Sequence, residues 1–330
     1  MNDSLTAYLE ATIDGQVHQF PLAADCIFCI GRSDNNDVVL GDDELASRVH
    51  AMLQRSAEGR FYITDRASSN GTFVNGARVS APLILRPGDQ IEIGHHTFKF
   101  HQEAQVNPLP AEEPEGLQST NILFAQSLIT VLVTDIRDYT GLARRTEASK
   151  LSQITGTLFR DAGRALQERG AWAQKYIGDA VMAVWLHKNR APESRELAAV
   201  FDGLAQVAQI ASGLQAQFQL DTPIRIGAGI NTGWASVGNV GSIASSDYTA
   251  LGDVVNKAFR LESATKEIKY DVAVGPGTYD FLSGCIDASG LFESRTVHLK
   301  GYDEPATAYA LNLSAIPAVL EPLHRSAQAG

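Results

Sequence analysis

Two aspartates in the second half of the sequence lie where their carboxylates could bind a metal ion. Asp135 ends an apolar segment at 127–134, and Asp179 lies at the turn of a predicted hairpin within 171–186. Two carboxylates with few other protein ligands suit Mg²⁺ or Mn²⁺, which share their coordination with substrate phosphates. Either aspartate taken alone could equally be an ordinary turn residue, so the metal interpretation depends on the rest of the sequence.

Residues 247–260, further along the chain, add an amide and a guanidinium. Asn256 and Arg260 are four positions apart on a predicted helix, which places them on one face. There they could orient a sugar and stabilise charge on a transferring phosphoryl group. Polar residues on a helix surface are the plainer explanation when the two are considered by themselves.

Three loops in the first half concentrate side chains that bind anions. They are Gly31-Arg32-Ser33, Ser47-Arg48-Val49-His50 and Ser68-Ser69-Asn70-Gly71-Thr72. Their guanidiniums, hydroxyls and Asn amide could together bind a tetrahedral dianion through charge-assisted hydrogen bonds. Each segment considered alone would only make a turn.

Short strands separated by turns are predicted through residues 1–101, the first domain. The apolar or alternating runs lie at 17–20, 26–30, 38–40, 52–54, 61–64, 83–85, 90–93 and 97–100. Turn formers such as Asn70-Gly71, Asn75-Gly76 and Pro87-Gly88-Asp89 lie between these runs. Strands of this length and spacing predict an all-β sandwich. Residues 102–126 then carry prolines among glutamates, which predicts an extended, solvated linker.

Strands alternate with helices from residue 127. Strands are predicted at 127–134, on both sides of Ile177-Gly178-Asp179, at 225–231, at 235–240 and near 311. Helices are predicted at 149–168, 195–217 and 254–264 from apolar residues at helical spacing. This order is typical of an α/β or α+β domain, placed at 127–312. The tail at 313–330 carries no motif and is assigned no structure.

The composition excludes several classes of protein. The 330 residues correspond to about two domains of roughly 150 residues, and 44% hydrophobic with 20% charged residues argues against disorder throughout. The 38 acidic and 27 basic residues give a net charge of −11, which argues against non-specific binding of nucleic acid or anionic membranes. An odd three cysteines, no signal peptide and no apolar run near the ~20 residues of a membrane span predict a cytoplasmic protein.

The order and spacing of the loops within residues 8–101 resemble a forkhead-associated (FHA) domain. Gly-Arg is followed by Ser-x-x-His, then by Asn-Gly-Thr, Val-Asn-Gly and Pro-Gly-Asp. The resemblance implies that this domain binds phosphothreonine in a protein or peptide. Gly31 and His50 match positions that support the loops. The residues that match recognition positions are Arg32, Ser47, Arg48, Ser69 and Asn70.

Residues 127–312 resemble the catalytic domain of class III nucleotidyl cyclases, an α+β domain of the ferredoxin-like type. The motifs, in order, are Thr-Asp-Ile-x-x-Tyr-Thr, Lys-x-x-Gly-Asp, Ile-Asn-Thr-Gly with Gly-Asn-Val-Gly-Ser, Asp-Tyr-Thr-x-x-Gly-Asp-x-Val-Asn-x-x-x-Arg-Leu-Glu, and Leu-Lys-Gly. The resemblance implies that the ribose 3′-OH of a nucleoside triphosphate attacks the α-phosphorus. The products are a cyclic monophosphate and pyrophosphate.

The resemblance also implies a role for each matching residue. Asp135, Asp179 and the carbonyl of Ile136 match the ligands of two Mg²⁺ or Mn²⁺ ions, which activate the 3′-OH and hold the phosphates. Asn256 and Arg260 match the pair that orients the ribose and stabilises the pentacovalent transition state. Two further cations match triphosphate-binding positions, namely Arg225 and Lys300.

Lys175 and Thr249 match the positions that select the base. Adenine presents an acceptor at N1 and a donor at N6, so a lysine with a hydroxyl that can accept fits ATP. Guanylyl-type members carry Glu and a small polar residue there, so the implied enzyme is an adenylyl cyclase. Two alternatives are a guanylyl cyclase, which these two residues oppose, and a phosphopeptide-binding scaffold with an inactive cyclase domain. The retained metal and transition-state residues oppose the scaffold.

The family builds each site from two subunits, which implies a homodimer with two equivalent sites. The metal carboxylates and Arg225 of one chain would face the base-reading residues, the Asn/Arg pair and Lys300 of the other. One residue departs from the family pattern. Asp138 stands where many members have glycine, in a loop that approaches the triphosphate, and its carboxylate would repel phosphate unless it points outward. His298 and Lys266 match no role and are expected to be surface residues.

Overall fold

The computed structural model describes residues 7–13, 15–22, 27–34, 36–55, 59–66, 68–79, 82–102, 123–187, 191–242 and 245–329, with backbone alone at 123–125, 238–242, 245–249 and 329. The described residues fall into two compact units, one within Met1–Ser127 and Ser236–Thr249 and the other within Leu128–Ala235 and Ala250–Gly330. Most of the predicted linker, 103–122, lies outside the described residues.

Described residues up to 102 form strands joined by turns. The strands are β1 (Ala7–Ile13), β2 (Gln16–Pro21), β3 (Phe28–Gly31), β4 (Val38–Val39), β5 (Ala51–Arg55), β6 (Phe61–Asp65), β7 (Thr72–Val74), β8 (Ala77–Arg78), β9 (Leu83–Ile84), β10 (Gln90–Ile93) and β11 (His96–Gln102). One sheet has the order β2-β1-β11-β10-β7-β8 and the other β4-β3-β5-β6-β9. The predicted strands are present, and β1, β7 and β8 are additional.

The two sheets of this unit enclose one apolar core. Leu9, Ile91 and Phe98 from the first sheet and Ile30 and Leu53 from the second belong to the same buried cluster. A continuous apolar layer between two sheets is the defining feature of a β-sandwich, so the predicted fold class is confirmed.

The part of the chain from residue 123 onward combines a mixed sheet with helices. Its elements are β12 (Leu123–Ile136), α1 (Tyr139–Arg145), α2 (Ala148–Glu168), β13 (Ala173–Ile177), β14 (Ala180–His187), α3 (Ser194–Phe218), β15 (Ile226–Ser242), β16 (Ser245–Leu251), α4 (Asp253–Ile268), β17 (Val272–Val274), α5 (Pro276–Cys285), β18 (Glu293–Val297), β19 (Ala306–Leu311), a 3₁₀ turn (Leu313–Ala315) and α6 (Ile316–Ala329). The sheet order is β13-β14-β12-β15-β17-β19-β18, and β16 pairs with β15. The succession β12-α2-β13-β14-α3-β15 with this strand order is ferredoxin-like, as expected.

Helices cover both faces of the sheet because neighbouring strand residues point in opposite directions. Val272 and Val274 pack into the larger core with α2, α3 and α6, whereas Ala273 between them packs into a second core with Leu261 of α4 and Ala308. Helix α4 is thereby held against the opposite face of the sheet from α2 and α3.

One prediction for this part of the chain was wrong in detail. The strands expected at 225–231 and 235–240 are one strand, β15, because the chain continues through Thr232-Gly233 instead of turning. The tail at 313–330, to which no structure was assigned, contains α6. Ile316, Val319 and Leu323 of α6 are at most 1% exposed and complete the larger core.

Helix α3 passes a length and composition test for a membrane-spanning helix, and half of that stretch is buried within the fold. Its apolar residues Leu197, Val200, Phe201 and Leu204 are 0% exposed and lie in the larger core. Packing against the sheet therefore accounts for the apolar character of this helix.

Candidate functional site

The strand register brings the two predicted metal carboxylates together. Asp135 lies opposite Ala180 in the antiparallel pair of β12 and β14, and Asp179 immediately precedes Ala180 in the β13–β14 turn. Burial, and then the charge of Asp135, raises the pKa of Asp179. A bound cation would stabilise the ionised form of a partly buried carboxylate pair of this kind, and the carboxylate oxygens suit Mg²⁺ or Mn²⁺.

Lys266 of α4 contacts this pair directly. Its Nζ lies 3.2 Å from Oδ2 of Asp135, and the carboxylate is 16% exposed while the lysine side chain is 53% exposed. Lys266 is a surface residue, as expected, but its contact with Asp135 was not predicted from the sequence. The sequence gives no local signal for it, because the two residues are 131 positions apart.

A buried ion pair lies behind Asp135. The side chain of Arg137 reaches α4, where Nη1 is 3.8 Å from Oε1 of Glu262 and Nη2 donates to the hydroxyl of Thr265 and, at 3.2 Å, to the carbonyl of Tyr270. Burial, and then the charge of Asp135, raises the pKa of Glu262, whereas Lys266 and Arg137 oppose that rise. The carboxylates of this site thus share their counterions.

Two glycines of β15 allow this close approach of α4. A Cβ at Gly229 would lie 2.1 Å from the carbonyl oxygen of Ala258, and one at Gly227 would lie 2.5 Å from Cζ of Arg137 and 2.8 Å from Oε1 of Glu262. Distances below 3 Å are not tolerated between packed atoms, so a Cβ at Gly229 would displace the backbone of α4, and one at Gly227 would displace the ends of the Arg137 and Glu262 side chains.

Arg225 lies at the start of the same strand. Its backbone carbonyl accepts a hydrogen bond from the N–H of Arg137 at 2.8 Å, which fixes the segment after Asp135 against β15. The guanidinium is 70% exposed, and Nη2 donates to Oδ1 of Asp271 at 3.1 Å. The backbone of Arg225 is therefore held next to the segment that follows Asp135, and its guanidinium pairs with Asp271.

The other predicted residues of this unit lie on several elements. Asn256 and Arg260 lie on α4, the first exposed and the second half-buried, and Lys300 is exposed in the turn before β19. Ile136 ends β12 with its side chain buried. Lys175 is half-buried on β13. Thr249 belongs to β16, where only the backbone is described, so its side chain lies outside the described residues.

Tyr302 ties the Lys300 turn to the start of α4. Its hydroxyl donates to Asp253, which also pairs with Lys257 at 2.8 Å, and the ammonium of Lys257 lies 5.6 Å from the centre of the tyrosine ring. Burial, and then the hydrogen bond to Asp253, raises the pKa of Tyr302 to about 12, and Arg260 acts in the opposite direction. The structure thus brings Lys300 alongside the helix that carries Asn256 and Arg260.

Asp138 adopts a left-handed backbone conformation, with φ 54° and ψ 39°. Glycine adopts this conformation without strain, which explains why glycine suits the position. The carboxylate is 68% exposed and accepts a hydrogen bond from Arg145 at 3.2 Å. It also lies where a Cβ at Gly141 would be, with Oδ2 2.2 Å from that point. The side chain points outward, toward α1.

The predicted phosphate-binding residues of the first unit occupy three adjacent loops. Backbone hydrogen bonds join the Arg32 loop to the next one, from Arg32 N to the carbonyl of Ser47 and from Ser33 N to that of Arg48. The N–H of Ser69 donates to the hydroxyl of Ser47 at 3.1 Å, which joins the third loop. Asn70 donates to the carbonyl of Leu45 at 2.8 Å. Arg32, Arg48, Ser69 and Asn70 are exposed, and Ser47 is half-buried.

His50 and Gly31 hold these loops in place. His50 is 0% exposed, its Nδ1 accepts from the N–H of Ser47 at 3.0 Å, and its Nε2 lies 3.1 Å from the carbonyl of Gly71. A Cβ at Gly31 would lie 2.5 Å from the carbonyl oxygen of Arg48. The imidazole therefore joins the second and third loops, and the glycine allows the first to pack against the second.

Comparisons with known proteins match both units. The FHA domain family model matches residues 28–94, and the adenylate and guanylate cyclase catalytic domain model matches residues 125–312. An adenylate cyclase of Anabaena cylindrica is 28% identical over 198 residues, 59% of this chain and 39% of that protein. An ABC transporter ATP-binding/permease protein of Mycobacterium tuberculosis is 52% identical over 71 residues, 22% of this chain and 8% of that protein.

Among solved structures, the adenylyl cyclase CyaB from P. aeruginosa is 26% identical with a TM-score of 0.47, and the match covers 57% of this chain and 94% of that one. The chain spans less than half the length of the curated relatives named above. The cyclase family model covers more than half of this chain. The chain therefore belongs to the adenylate and guanylate cyclase catalytic domain family, and it carries an FHA domain ahead of that domain.

Proposed function

We propose that this chain is a class III adenylate cyclase that converts ATP to 3′,5′-cyclic AMP and pyrophosphate. The observation that carries the proposal is the juxtaposition of Asp135 at the end of β12 and Asp179 in the β13–β14 turn. Bound to these carboxylates and to the Ile136 carbonyl, two Mg²⁺ or Mn²⁺ ions would lower the pKa of the ribose 3′-OH and neutralise charge on the leaving pyrophosphate.

The remaining residues bind and orient the nucleotide. Arg225 and Lys300 bind the triphosphate, Asn256 orients the ribose, and Arg260 stabilises the charge that develops on the α-phosphoryl oxygens. The two residues that read the adenine edge are Lys175 and Thr249. The anchoring of the Lys300 turn to α4 through Tyr302 supports a common location for the three residues on that side.

A direct assay separates the proposal from its alternatives. The purified full chain is incubated with Mn²⁺ and either ATP or GTP, and the product is identified by mass spectrometry. Cyclic AMP from ATP, lost in the Asp135→Asn variant, is expected. Cyclic GMP from GTP as the main product would identify a guanylyl cyclase. No product from either nucleotide, with the fold intact, would favour the scaffold with an inactive cyclase domain.

The active site is shared between two copies of this chain in the proposal. The metal carboxylates of one chain act with Asn256 and Arg260 of the other, so a two-fold dimer has two equivalent sites. The second unit has large apolar side chains that are 47–53% exposed and could contact a second copy of the chain. They are Tyr176, Ile177, Trp234 and Leu251. Mixing Asp135→Ala with Asn256→Ala chains should restore activity at one hybrid site. Inactive mixtures that contain heterodimers would refute the shared site.

The FHA domain binds a phosphothreonine segment of a protein partner in the proposal. Arg32 and Arg48 supply charge, and Ser47, Ser69 and Asn70 supply further donors from loops that hydrogen bonds already hold together. A library of peptides with a fixed phosphothreonine should be retained by the full chain and lost from Arg32→Ala. Equal retention of the unphosphorylated library would count against this function.

The proposed location of the chain is the cytoplasm. Cys29 and Cys285 form no disulfide in the described part of the chain, which suits a reducing compartment. Cell fractionation that places the full chain with the soluble cytoplasmic proteins is the expected result.

A further inference from the structure

We propose that Lys266 is a built-in counterion of the Asp135–Asp179 pair and sets the affinity of that pair for divalent cations. This inference rests on the metal site in the proposed function, and it adds to that site a lysine with no role among the motifs of the sequence. The lysine acts on the metal ligands and is a positioning residue.

Lys266 and Asp135 form a close ion pair. The ammonium lies 3.2 Å from a carboxylate that is only 16% exposed, so solvent screens their attraction less than it would on an open surface. The field of the lysine extends further, because it also opposes the rise in the pKa values of Asp179 and Glu262. One side chain therefore balances three carboxylates.

A divalent ion on Asp135 would compete with this ammonium. Both need the same carboxylate oxygens, and a lysine beside a doubly charged ion is repelled by it. The lysine side chain is 53% exposed at the end of a flexible stem, so it can turn into solvent when a cation binds. Moving the lysine away from Asp135 costs free energy, and this cost weakens the binding of the cation.

Arg137, the other cation near Asp135, cannot respond in this way. Its guanidinium is 16% exposed and is held by Glu262, Thr265 and the carbonyl of Tyr270. It therefore contributes a fixed charge, whereas Lys266 contributes one that can be exchanged for a metal ion.

The test measures Mn²⁺ binding to the full chain without nucleotide, from the electron paramagnetic resonance signal of free Mn²⁺. Lys266→Met removes the competing charge while it keeps the length and apolar stem. Its Kd for Mn²⁺ is expected to fall about tenfold at low ionic strength. This is the effect expected when a repulsive charge that solvent screens only in part is removed. Lys266→Gln, a polar replacement, should shift the Kd in the same direction. Lys269→Met, an equal charge change three residues along, should leave the Kd unchanged.

Salt distinguishes an electrostatic effect from a change of shape. The Mn²⁺ Kd of the unmodified chain divided by that of Lys266→Met should fall toward one as the KCl concentration rises from ~0.02 M to ~0.5 M. The reason is that salt screens the charge of the lysine. A Kd in Lys266→Met that is unchanged, higher than that of the unmodified chain, or matched by Lys269→Met would overturn the inference.

The Asp135→Asn variant keeps this inference separate from the proposed metal site. If Mn²⁺ binding is lost in Asp135→Asn but is the same in Lys266→Met and the unmodified chain, the metal site stands and the role of Lys266 is refuted. If Asp135→Asn binds Mn²⁺ as well as the unmodified chain, the metal site itself is wrong and both proposals fall.

Discussion

The guanidinium of Arg137 faces the carboxylate of Glu262, with Nη1 3.8 Å from Oε1 and the two side chains 16% and 5% exposed. Arg137 follows the Asp135-Ile136 segment directly, and Glu262 lies on α4. This buried pair therefore ties the strand end that carries the predicted metal ligands to the helix that carries Asn256. An ion pair in this location is costly to break from one side, because the remaining charge stays buried.

The Arg137→Gln variant should be less stable than the unmodified chain by about 1–3 kcal/mol at neutral pH. It leaves the buried carboxylate of Glu262, whose pKa burial already raises, without the cation that opposes that rise. Urea unfolding at neutral pH measures the difference. The matched control is Arg164→Gln, an exposed residue of α2, which should change the stability by less than about 0.5 kcal/mol. Equal stability of the two variants would show that Glu262 does not need Arg137.

The Tyr302→Phe variant should bind ATP more weakly. The ring remains, so the contact with Lys257 is kept, but the hydrogen bond to Asp253 that anchors the Lys300 turn is lost. A looser turn costs triphosphate binding, and we expect KM for ATP to rise about threefold to tenfold with a smaller change in kcat. Steady-state kinetics provide the measurement. A fall in kcat at constant KM would place the hydrogen bond in the chemical step instead.

Substitutions of Asp138 should separate the effect of its charge from that of its backbone conformation. Asn tolerates a positive φ as Asp does and removes the charge, whereas Gly removes both the charge and the strain. Because the carboxylate points outward and accepts a hydrogen bond from Arg145, Asp138→Asn should change KM for ATP by less than about twofold in steady-state kinetics. A lower KM in Asp138→Asn would show that the carboxylate repels the triphosphate. A lower KM in the Gly variant alone would indicate that backbone strain, and not charge, limits binding.

A buried polar chain crosses the sheet near α3. His187 is 0% exposed, with Nδ1 3.4 Å from Oε1 of Glu196 and Nε2 2.7 Å from the hydroxyl of Thr130. Burial alone would raise the pKa of Glu196, but its hydrogen bond to His187, the charge of His187 and the N–H of Glu193 lower it. The pKa of Glu196 is lower in the folded state than its ordinary value of 4.5, so its ionisation stabilises the fold.

The stabilisation from Glu196 should be fully present above about pH 4.5 and disappear as the pH falls through the lowered folded pKa. Glu196→Gln retains the capping hydrogen bonds of α3 and removes the charge. It should be less stable than the unmodified chain by about 1–2 kcal/mol at pH 7, and the gap should close in acid. Urea unfolding at several pH values tests this. A gap that does not depend on pH would exclude the charge as its source.

The sequence predicted elements whose signal is local. The hairpin around Asp179, the helices α2 and α3 and the face shared by Asn256 and Arg260 follow from residue periodicity and turn formers, and the structure has them. Helix α6 was missed because Pro317 and Pro322 interrupt its segment, although Ile316, Val319 and Leu323 keep helical spacing. Proline is tolerated in the first turn, and packing against α3 stabilises the rest.

The missed part of the site depends on contacts between distant segments. Lys266 reaches Asp135 only because Gly227 and Gly229 let α4 approach β15, and no pattern within either segment indicates that approach. The same holds for Arg137 and Glu262, which lie 125 positions apart in the numbering. Side-chain periodicity identifies which face of an element is buried, and it carries no information about which charged groups meet across that face.

Helix α4 carries groups that would serve two different reaction centres. Lys266 and Glu262 contact the end of their own β12, whereas Asn256 and Arg260 act, in the shared-site dimer, with the carboxylates of the partner. From Asn256 to Lys266 the helix rises about 15 Å, at ~1.5 Å for each residue. In such a dimer, each α4 would therefore contribute groups to both active sites, so a substitution that disturbs this helix would affect both sites at once.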